Sequence, residues 1–310
     1  MKKLALMFPG QGSQAVGMGC DLCAEYPQMR ETYADASDVL EFDLESICAA
    51  GPAERLARTD VTQPALLANS IGIFRILRDQ GLRFDAAFGH SLGEYSALVA
   101  TGALSFEDGL RLVRRRGQEM LAAAEENPGG MAAVIGLDDD RVEAVCATVE
   151  GVWPANFNSP GQVVVSGGTA ALDEFAAAAK EAGARKVIPL AVSGAFHSPL
   201  IASAQAPLRA ELEATEWSTP DPAFFSVSEA GFVDGGFVDV LSRQLVAPVR
   251  FTQSVTALYQ KGYDSFLEVG PGSVLSGLVR RITPEASVAR ASDLDSIGVL
   301  RDDAEYWEDA

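Results

Sequence analysis

A serine between two glycines has the strongest chemical signature in this sequence. Ser91 is the centre of Gly89-His90-Ser91-Leu92-Gly93, which fits the pattern G-x-S-x-G and lies between a predicted strand and a predicted helix. In such an elbow the glycines let neighbouring backbone pack closely, so the serine hydroxyl stands clear of the turn. The helix N-terminus favours developing negative charge, and the N–H of Leu92 is a natural oxyanion donor. We therefore predict that Ser91 is a nucleophile; the alternative is that it only caps the helix.

A nucleophilic serine needs a general base, and the sequence has two histidines. His90 adjoins Ser91, so its side chain is expected to leave the opposite face of the strand end, where a purely structural role is open. His197 follows the predicted strand that ends at Val192 and is the remaining candidate. We predict that His197 takes the proton of Ser91; the alternative is a histidine that serves only packing. The order of serine before histidine is that of α/β-hydrolases.

The segments that must position these residues alternate between strand-like and helix-like patterns, which predicts an α/β fold. The first strand is followed by a glycine-rich turn over residues 9–14, and Gly81 ends the first long helix. The predicted elements of this part are strands over residues 3–8, 85–88 and 265–269, and helices containing residues 67–77 and 92–100.

The middle of the chain follows a different rhythm, with the order βαββαβ of a ferredoxin-like domain. The predicted strands are residues 131–137, 152–157, 163–166 and 185–192, and the predicted helices are residues 140–149 and 171–182. We therefore predict a small ferredoxin-like domain over residues 127–193. It is inserted into a large α/β catalytic domain made of residues 1–126 and 194–310.

Composition and charge exclude several classes of function. The net charge of −19 over 310 residues argues against a nucleic-acid-binding protein, because phosphates need a basic surface. No run of 18 apolar residues occurs, so we expect no membrane span. The apolar run of residues 4–8 is too short for a signal peptide and meets Pro9 at once. A cytoplasmic protein is expected.

The four cysteines do not form a metal-binding pattern. Cys20 and Cys23 make one C-x-x-C pair, and no second pair of cysteines or histidines completes a zinc site. We expect reduced thiols and no bound metal.

Six motifs occur in order along nearly the whole chain: Pro9–Gln14 (PGQGSQ), Thr62–Leu66 (TQPAL), Gly89–Tyr95 (GHSLGEY), Ala155–Val164 (ANFNSPGQVV), Gly194–Pro199 (GAFHSP) and Glu268–Gly272 (EVGPG). Together they resemble the malonyl-CoA:acyl-carrier-protein transacylase family, which includes the acyltransferase domains of polyketide synthases. The resemblance implies a large α/β-hydrolase-like domain with a ferredoxin-like insert, in agreement with the strand order.

The same resemblance implies roles for individual residues. Ser91 would be the nucleophile and His197 the base, and the backbone amides of Gln11 and Leu92 would form the oxyanion hole. The backbone carbonyl of Gln244 would orient the histidine in place of the usual aspartate. Glu94, inside the serine motif, would be a bystander on its helix.

An arginine-rich helix offers a cation for the distal carboxylate of a malonyl group, since a guanidinium binds a carboxylate through two hydrogen bonds. Arg111, Arg114, Arg115 and Arg116 belong to this helix. Relative to its apolar stripe, Arg115 lies on the far side, while Arg114 and Arg116 flank the stripe, so helical phase alone does not choose between them. The resemblance selects Arg116, directly before Gly117, and leaves the other arginines on a solvated edge.

The implied reaction is a ping-pong transfer of malonyl from malonyl-CoA to acyl carrier protein through an ester on Ser91, in fatty-acid biosynthesis, with no bound cofactor. Phe196, directly before the histidine, would favour malonyl over methylmalonyl groups by a modest steric effect.

Three alternatives stay open: an acyltransferase that acts in trans on a polyketide synthase, a thioesterase or esterase of α/β-hydrolase type, and a silent docking subunit. Acyl carrier proteins are typically acidic, so we expect a local basic patch to dock the carrier. Its candidates are Arg185, Lys186, Arg250, Arg280 and Arg281.

Overall fold

Ten strands form two separate sheets in the part of the chain that the computed structural model describes, residues 3–301, 306 and 307. The strands are β1 (Lys3–Phe8), β2 (Ala86–Gly89), β3 (Gly130–Ile135), β4 (Val152–Ser159), β5 (Gln162–Gly167), β6 (Lys186–Pro189), β7 (Ala223–Ser226), β8 (Gly231–Phe232), β9 (Tyr263–Val269) and β10 (Ser287–Ala291).

Helices pack around both sheets. They are α1 (Cys20–Glu25), α2 (Pro27–Leu40), α3 (Leu44–Ala50), α4 (Ala53–Leu56), α5 (Thr59–Asp79), α6 (Gly93–Ala100), α7 (Phe106–Glu126), α8 (Asp139–Cys146), α9 (Thr169–Glu181), α10 (Gln205–Ala214), α11 (Phe237–Gln244), α12 (Phe251–Gln260), α13 (Val274–Ile282) and α14 (Leu294–Arg301). A 3₁₀ segment, Pro199–Ala204, precedes α10. Within the described ranges, no helix is both long enough and apolar enough to cross a membrane.

The large sheet has the strand order β10-β9-β1-β2-β7-β8, with parallel neighbours except for the antiparallel pair β7–β8. Strand β1 is central and apolar on both faces, as expected for a parallel strand covered by helices. Leu6 and Phe8 join one buried cluster, and Ala5 and Met7 join the other, because successive side chains leave opposite faces of a strand. Because β1 and β2 are parallel, their carboxyl ends lie at the same edge of this sheet, which is buried on both sides.

The small sheet is antiparallel, with the order β4-β5-β3-β6. Together with α8 and α9 this gives the chain order βαββαβ. Val134, Val163 and Phe175 pack in a core between one face of this sheet and its two helices. The opposite face contributes Met131 and Val164 to the main core, so the small sheet is fastened onto the large one.

The predicted α/β fold with a ferredoxin-like insert is confirmed by this architecture and by the solved structures compared below. The last predicted strand of the insert, residues 185–192, is shorter than expected. It ends at Pro189, and the N–H of Leu190 makes one more bond to Met131 before the backbone leaves the sheet. The limits of the two domains stay a prediction, and residues 1, 2, 302–305 and 308–310 lie outside the described residues.

Candidate active site

The backbone at Ser91 forms a sharp elbow between β2 and α6. Ser91 has a φ of 52°, in the left-handed region that residues other than glycine rarely adopt. A Cβ on Gly89 would lie 2.1 Å from the carbonyl group of Gly93, and a Cβ on Gly93 would lie 2.1 Å from the carbonyl oxygen of Phe8. Only glycine fits at both places, so the motif spacing follows from the tightness of the turn.

His197 lies beside this elbow. Its Nε2 is 2.8 Å from the Oγ of Ser91, and its Nδ1 is 2.9 Å from the carbonyl oxygen of Gln244 and 3.1 Å from that of Ala247. Two carbonyl oxygens can only accept, so Nδ1 carries the proton and Nε2 is left to accept the hydroxyl proton of Ser91. The structure therefore brings together Ser91, His197 and the Gln244 carbonyl in the arrangement expected from the sequence.

Burial keeps His197 in its neutral form. Its side chain is buried, and this burial, followed by the positive charge of Arg116, lowers the pKa of His197 to about 3. Hydrogen bonds to the two carbonyl groups offset part of the shift. At neutral pH the imidazole is therefore ready to accept a proton.

Arg116 on α7 reaches the same point from the other side. Its side chain is 1% exposed, and its Nη2 donates to the Oγ of Ser91 at 2.9 Å and to the Oε1 of Gln244 at 3.1 Å. Its Nη1 donates to the Oε1 of Gln63 at 2.9 Å, and its buried Nε has no hydrogen-bond partner among the described residues. No carboxylate among residues 3–301, 306 and 307 forms an ion pair with it. A buried cation with neutral acceptors is suited to an anionic ligand.

The other arginines of α7 lie elsewhere. Arg114, which flanks the stripe like Arg116, donates to the carbonyl of Leu40 and stacks over Phe42, so it is not on a solvated edge. Arg115 pairs with Glu119 at 3.0 Å on a partly exposed face. The choice that helical phase leaves open is therefore made by packing, which brings Arg116 and not Arg114 to Ser91.

The two predicted oxyanion residues line the same small cavity as Ser91. Gln11 follows β1 in the glycine-rich turn, and Leu92 is buried directly after Ser91. In the described structure, no protein acceptor takes a hydrogen bond from the backbone N–H of Gln11 or Leu92. Both donors are thus unpaired near the nucleophile, as an oxyanion hole requires.

The cavity has a volume of about 100 Å³ and lies where the two sheets meet. Beside the predicted residues, including Phe196, it is lined by His90, Met120, Met131, Asn156, Leu190 and Val192. His90 was expected on the opposite face of the strand end, yet it contributes to the cavity wall. Its Nε2 lies 2.9 Å from the Oδ1 of Asn158, and it makes no hydrogen bond to Ser91.

Comparison with known proteins agrees with this geometry. The acyl transferase domain family matches residues 6–309. The chain belongs to this family. It is 43% identical over 309 residues to the malonyl CoA-acyl carrier protein transacylase of Haemophilus influenzae, covering 97% of this chain and 99% of that protein.

Two solved structures are similar to this acyltransferase. The malonyl-CoA:acyl carrier protein transacylase of Xanthomonas oryzae is 42% identical, with a TM-score of 0.95 over 99% of each chain. A malonyl-transacylase solved in complex with a type II polyketide synthase acyl-carrier protein is 40% identical, with a TM-score of 0.94 over 97% of this chain and 100% of that one. The predicted family and the prediction of an acyltransferase are therefore confirmed.

Sequence reasoning missed two residues around Arg116. Gln63 accepts from its Nη1, and the only signal for Gln63 was its place in the motif Thr62–Leu66. Glu94 was expected to be a bystander, but it is 1% exposed and bonded to Gln244, so that expectation is wrong. Its polar side chain on an otherwise buried helix was the signal, since a buried carboxylate needs donors.

The cysteines lie apart from the site. Cys20, Cys23, Cys48 and Cys146 are all unpaired. The described residues contain no group of three or more metal-binding side chains arranged to hold an ion.

Proposed function

We propose that this acyltransferase moves a malonyl group from malonyl-CoA to the phosphopantetheine thiol of acyl carrier protein, through an ester on Ser91. The observation that supports this proposal most directly is the position of Arg116. Its buried guanidinium has Nη2 2.9 Å from the Oγ of Ser91, neutral amide acceptors and, among the described residues, an unused Nε donor. A site for acetyl or other neutral acyl groups would have no use for such a cation, because burying it is costly. The names of the relatives support the same substrate and acceptor.

In the first half-reaction Ser91 attacks the carbonyl carbon of the malonyl thioester while His197 accepts the hydroxyl proton at Nε2. Negative charge develops on the carbonyl oxygen, where the N–H groups of Gln11 and Leu92 would bind it. The C–S bond then breaks, and His197 returns the proton to the sulfur of CoA. The malonyl ester remains on Ser91, with its free carboxylate held by Arg116.

The second half-reaction reverses these steps with another thiol. The phosphopantetheine thiol of the carrier gives its proton to His197 and attacks the ester carbon. The C–O bond breaks, the Oγ of Ser91 recovers the proton, and malonyl leaves as a thioester on the carrier. Both half-reactions use only side chains and backbone of this chain, so the proposed reaction needs no bound cofactor.

The side chain of Phe196 stands beside this acyl group in the proposed complex. It is 5% exposed and lines the cavity together with Met120 and Met131. In a cavity of about 100 Å³ these side chains leave little room for a branch at the α-carbon of the acyl group. A steric preference of this kind for malonyl over methylmalonyl is worth about 1–3 kcal/mol.

A second acceptor is supported by a specific similarity. The structure with a TM-score of 0.94 is that of a malonyl-transacylase bound to a polyketide synthase carrier protein. A role in fatty-acid synthesis and a role in trans on a polyketide synthase thus share the same chemistry. Comparing kcat/KM for the two types of carrier from the source organism separates them.

Three further predictions belong to this proposal. We propose that residues 127–193 form the small domain, since β3 to β6 with α8 and α9 fall within it. We propose a cytoplasmic enzyme, and the four unpaired cysteines are compatible with a reducing compartment. We propose carrier docking at Arg185, Lys186, Arg250, Arg280 and Arg281, all of which are exposed.

The first test follows the ester itself. Brief incubation with malonyl-CoA should add one malonyl mass, located by peptide mapping to Ser91. The label should be absent in Ser91→Ala, and it should transfer to holo-acyl carrier protein faster than to water. Persistent label in Ser91→Ala, or release of the label only to water, would contradict the transferase and favour another nucleophile or a thioesterase.

The second test removes the cation. Arg116→Ala leaves the malonyl carboxylate unpaired in a buried site, which costs about 2–5 kcal/mol. At 1.4 kcal/mol per decade, kcat/KM for malonyl-CoA should fall by about 30- to 3,000-fold. Acetyl-CoA lacks this carboxylate, so its kcat/KM should hold or rise. Arg114→Ala is the matched control and should leave the ratio of the two rates unchanged; equal losses for both substrates in Arg116→Ala would refute the carboxylate site.

A further inference from the structure

Glu94 is a buried carboxylate three residues after the nucleophile, and one of its oxygen atoms is fixed by the main chain. Its Oε1 accepts hydrogen bonds from the N–H of Val227, the N–H of Ser228 at 3.1 Å and the hydroxyl of Ser226 at 3.2 Å. These donors belong to the end of β7 and the residues that follow it. The carboxylate therefore has a single orientation, set by three donors on one side.

The other oxygen atom of Glu94 faces Gln244. The Nε2 of Gln244 donates to the Oε2 of Glu94 at 2.9 Å and to the carbonyl oxygen of Ser91 at 3.0 Å. With its NH₂ group held by two acceptors, the amide presents its Oε1 to Arg116. The backbone carbonyl of the same glutamine accepts from His197. Gln244 thus contacts Ser91, His197 and Arg116, and the carboxylate of Glu94 together with the carbonyl of Ser91 determines which way its amide faces.

We propose that Glu94 is a positioning residue that fixes the orientation of the Gln244 amide and so holds Arg116 in place for the carboxylate of the acyl group. This inference rests on the proposed function, because it assigns Glu94 to substrate selection. An inverted amide would direct its NH₂ group at the guanidinium, which has only donors. Gln63 accepts from Nη1 of Arg116, but the orientation of its own amide is held only weakly. Its NH₂ group faces the Sδ of Met120 at 3.3 Å, which is a weak acceptor.

The variant Glu94→Gln tests this orientation with almost no change in shape. The new side chain must present its oxygen atom to the three donors at 226–228, so its NH₂ group takes the place of Oε2. Two NH₂ groups would then meet, so the amide of Gln244 either inverts, which also sets its Oε1 against the carbonyl oxygen of Ser91, or moves away from residue 94. Inversion turns a donor toward Arg116, and displacement moves Oε1 away from it, so Arg116 loses one of its three acceptors in both cases.

The expected result is a change in selectivity. Hydrogen bonds to charged groups contribute about 1.5–3 kcal/mol, so kcat/KM for malonyl-CoA should fall by about 10- to 100-fold relative to that for acetyl-CoA. Rates are expressed per acylatable Ser91, counted by mass spectrometry, so partial unfolding does not alter the ratio. A purely structural carboxylate would lower the melting temperature and the active fraction but leave the malonyl-to-acetyl ratio at the wild-type value.

Glu268→Gln is the matched control. Glu268 is also fully buried and also accepts from two backbone N–H groups, those of Leu275 and Ser276, but it makes no contact with Gln244 or Arg116. This variant should lose stability with an unchanged ratio. If Glu94→Gln does not fold, Glu94→Asp replaces it, because the shorter carboxylate cannot reach both Gln244 and residues 226–228; its ratio should fall in the same direction.

The outcomes separate this inference from the proposed function. A wild-type enzyme that prefers malonyl-CoA, an Arg116→Ala variant that loses the preference and a Glu94→Gln variant that keeps it would overturn the role of Glu94 alone. Loss of the ratio in Glu94→Gln but not in Glu268→Gln supports the role. A wild-type enzyme without any preference for malonyl-CoA would overturn the proposed function, whatever Glu94 does.

Discussion

At the scale of single residues, the environment of His197 sets the pH range in which the serine can be activated. Burial and the charge of Arg116 lower the pKa of His197 to about 3, with a smaller contribution from His90. A histidine is a base only when neutral, so the lowered pKa extends activity toward acid. With an ordinary pKa of about 6.5, only about 3% of the imidazole would be neutral at pH 5.

We therefore expect the single-turnover rate of Ser91 acylation by acetyl-CoA to be nearly unchanged between pH 7 and pH 5. Arg116→Ala removes a charge that lowers the pKa, so the acid limb of its profile should move to higher pH. Burial raises the pKa of Glu94 to about 7, so Glu94 titrates in the pH range of this comparison. Glu94→Gln removes that titration and serves as the control, because a limb due to His197 must persist in it. A limb near pH 6.5 that is present in the wild type and persists in Glu94→Gln would contradict the lowered pKa of His197.

The individual site residues were predictable to different degrees. Ser91 carries its signal in its own neighbours, and His197 was found because the sequence has only two histidines. Arg116 needed a family resemblance, because Arg114 has an equivalent helical phase. Glu94 and Gln244 are 150 residues apart in sequence, and their contact depends on how α6, β7 and α11 pack. No local pattern encodes such a contact, which is why Glu94 was misjudged.

At the scale of secondary structure, predictability followed element length and burial. Strand β1 contains the continuous apolar run of residues 4–8, and the strands of the insert have clear turns between them, so these strands were predicted. Strands β7 and β8 have four and two residues, too few to show a period, and unlike the equally short β2 they do not lead into a recognisable motif. Helices α1, α3 and α4 are too short to show a helical period, whereas α2 buries Met29, Tyr33, Ala36 and Leu40 at helical spacing and was overlooked.

The glycine at the start of α6 provides a test at this scale. A methyl group at position 93 would overlap the carbonyl of Phe8, so β1 and the elbow would have to separate. Gly93→Ala should lower the free energy of unfolding by about 1–3 kcal/mol or more, as overpacking typically does, and should abolish Ser91 acylation. Urea denaturation and malonyl labelling measure the two effects.

Gly277→Ala is the matched control. Gly277 lies inside α13, and no atom lies within 4 Å of a Cβ built there. An alanine in a helix interior should stabilise the protein by about 0.5–1 kcal/mol and leave acylation unchanged. An active, fully stable Gly93→Ala variant would show that the elbow is not as tight as the structure indicates.

At the scale of the whole molecule, a strongly acidic protein must bind a partner that we expect to be acidic as well. Arg281, one of the five candidate docking residues, donates to the Oε1 of Gln162 at 2.8 Å and so links α13 to the small sheet. Arg185 directly precedes β6, and Lys186 is the first residue of that strand. Local attraction and long-range repulsion both weaken with salt, so transfer to the carrier should depend only weakly on ionic strength.

Reversing the charge of Arg185, Lys186, Arg250, Arg280 and Arg281 together should raise KM for acyl carrier protein by about tenfold or more, since exposed pairs contribute about 0.2–1 kcal/mol each. Loading of Ser91 from malonyl-CoA serves as the internal reference. The control reverses five exposed arginines on other elements: Arg30, Arg55, Arg111, Arg209 and Arg301. Equal effects of both sets would rule out a local patch and indicate a response to net charge.

Ser91 and His197 share one further property, a left-handed backbone, with φ values of 52° and 57°. A residue other than glycine in such a conformation costs about 1–3 kcal/mol, so each half of the pair is held against its own backbone preference. Glycine at either position would relieve that strain and end the chemistry. Where turnover is no longer under selection, substitutions to glycine at these two positions should therefore be favoured, because they remove the strain. In sequences of this fold, glycine at these two places would mark lineages that have kept the scaffold and lost the reaction.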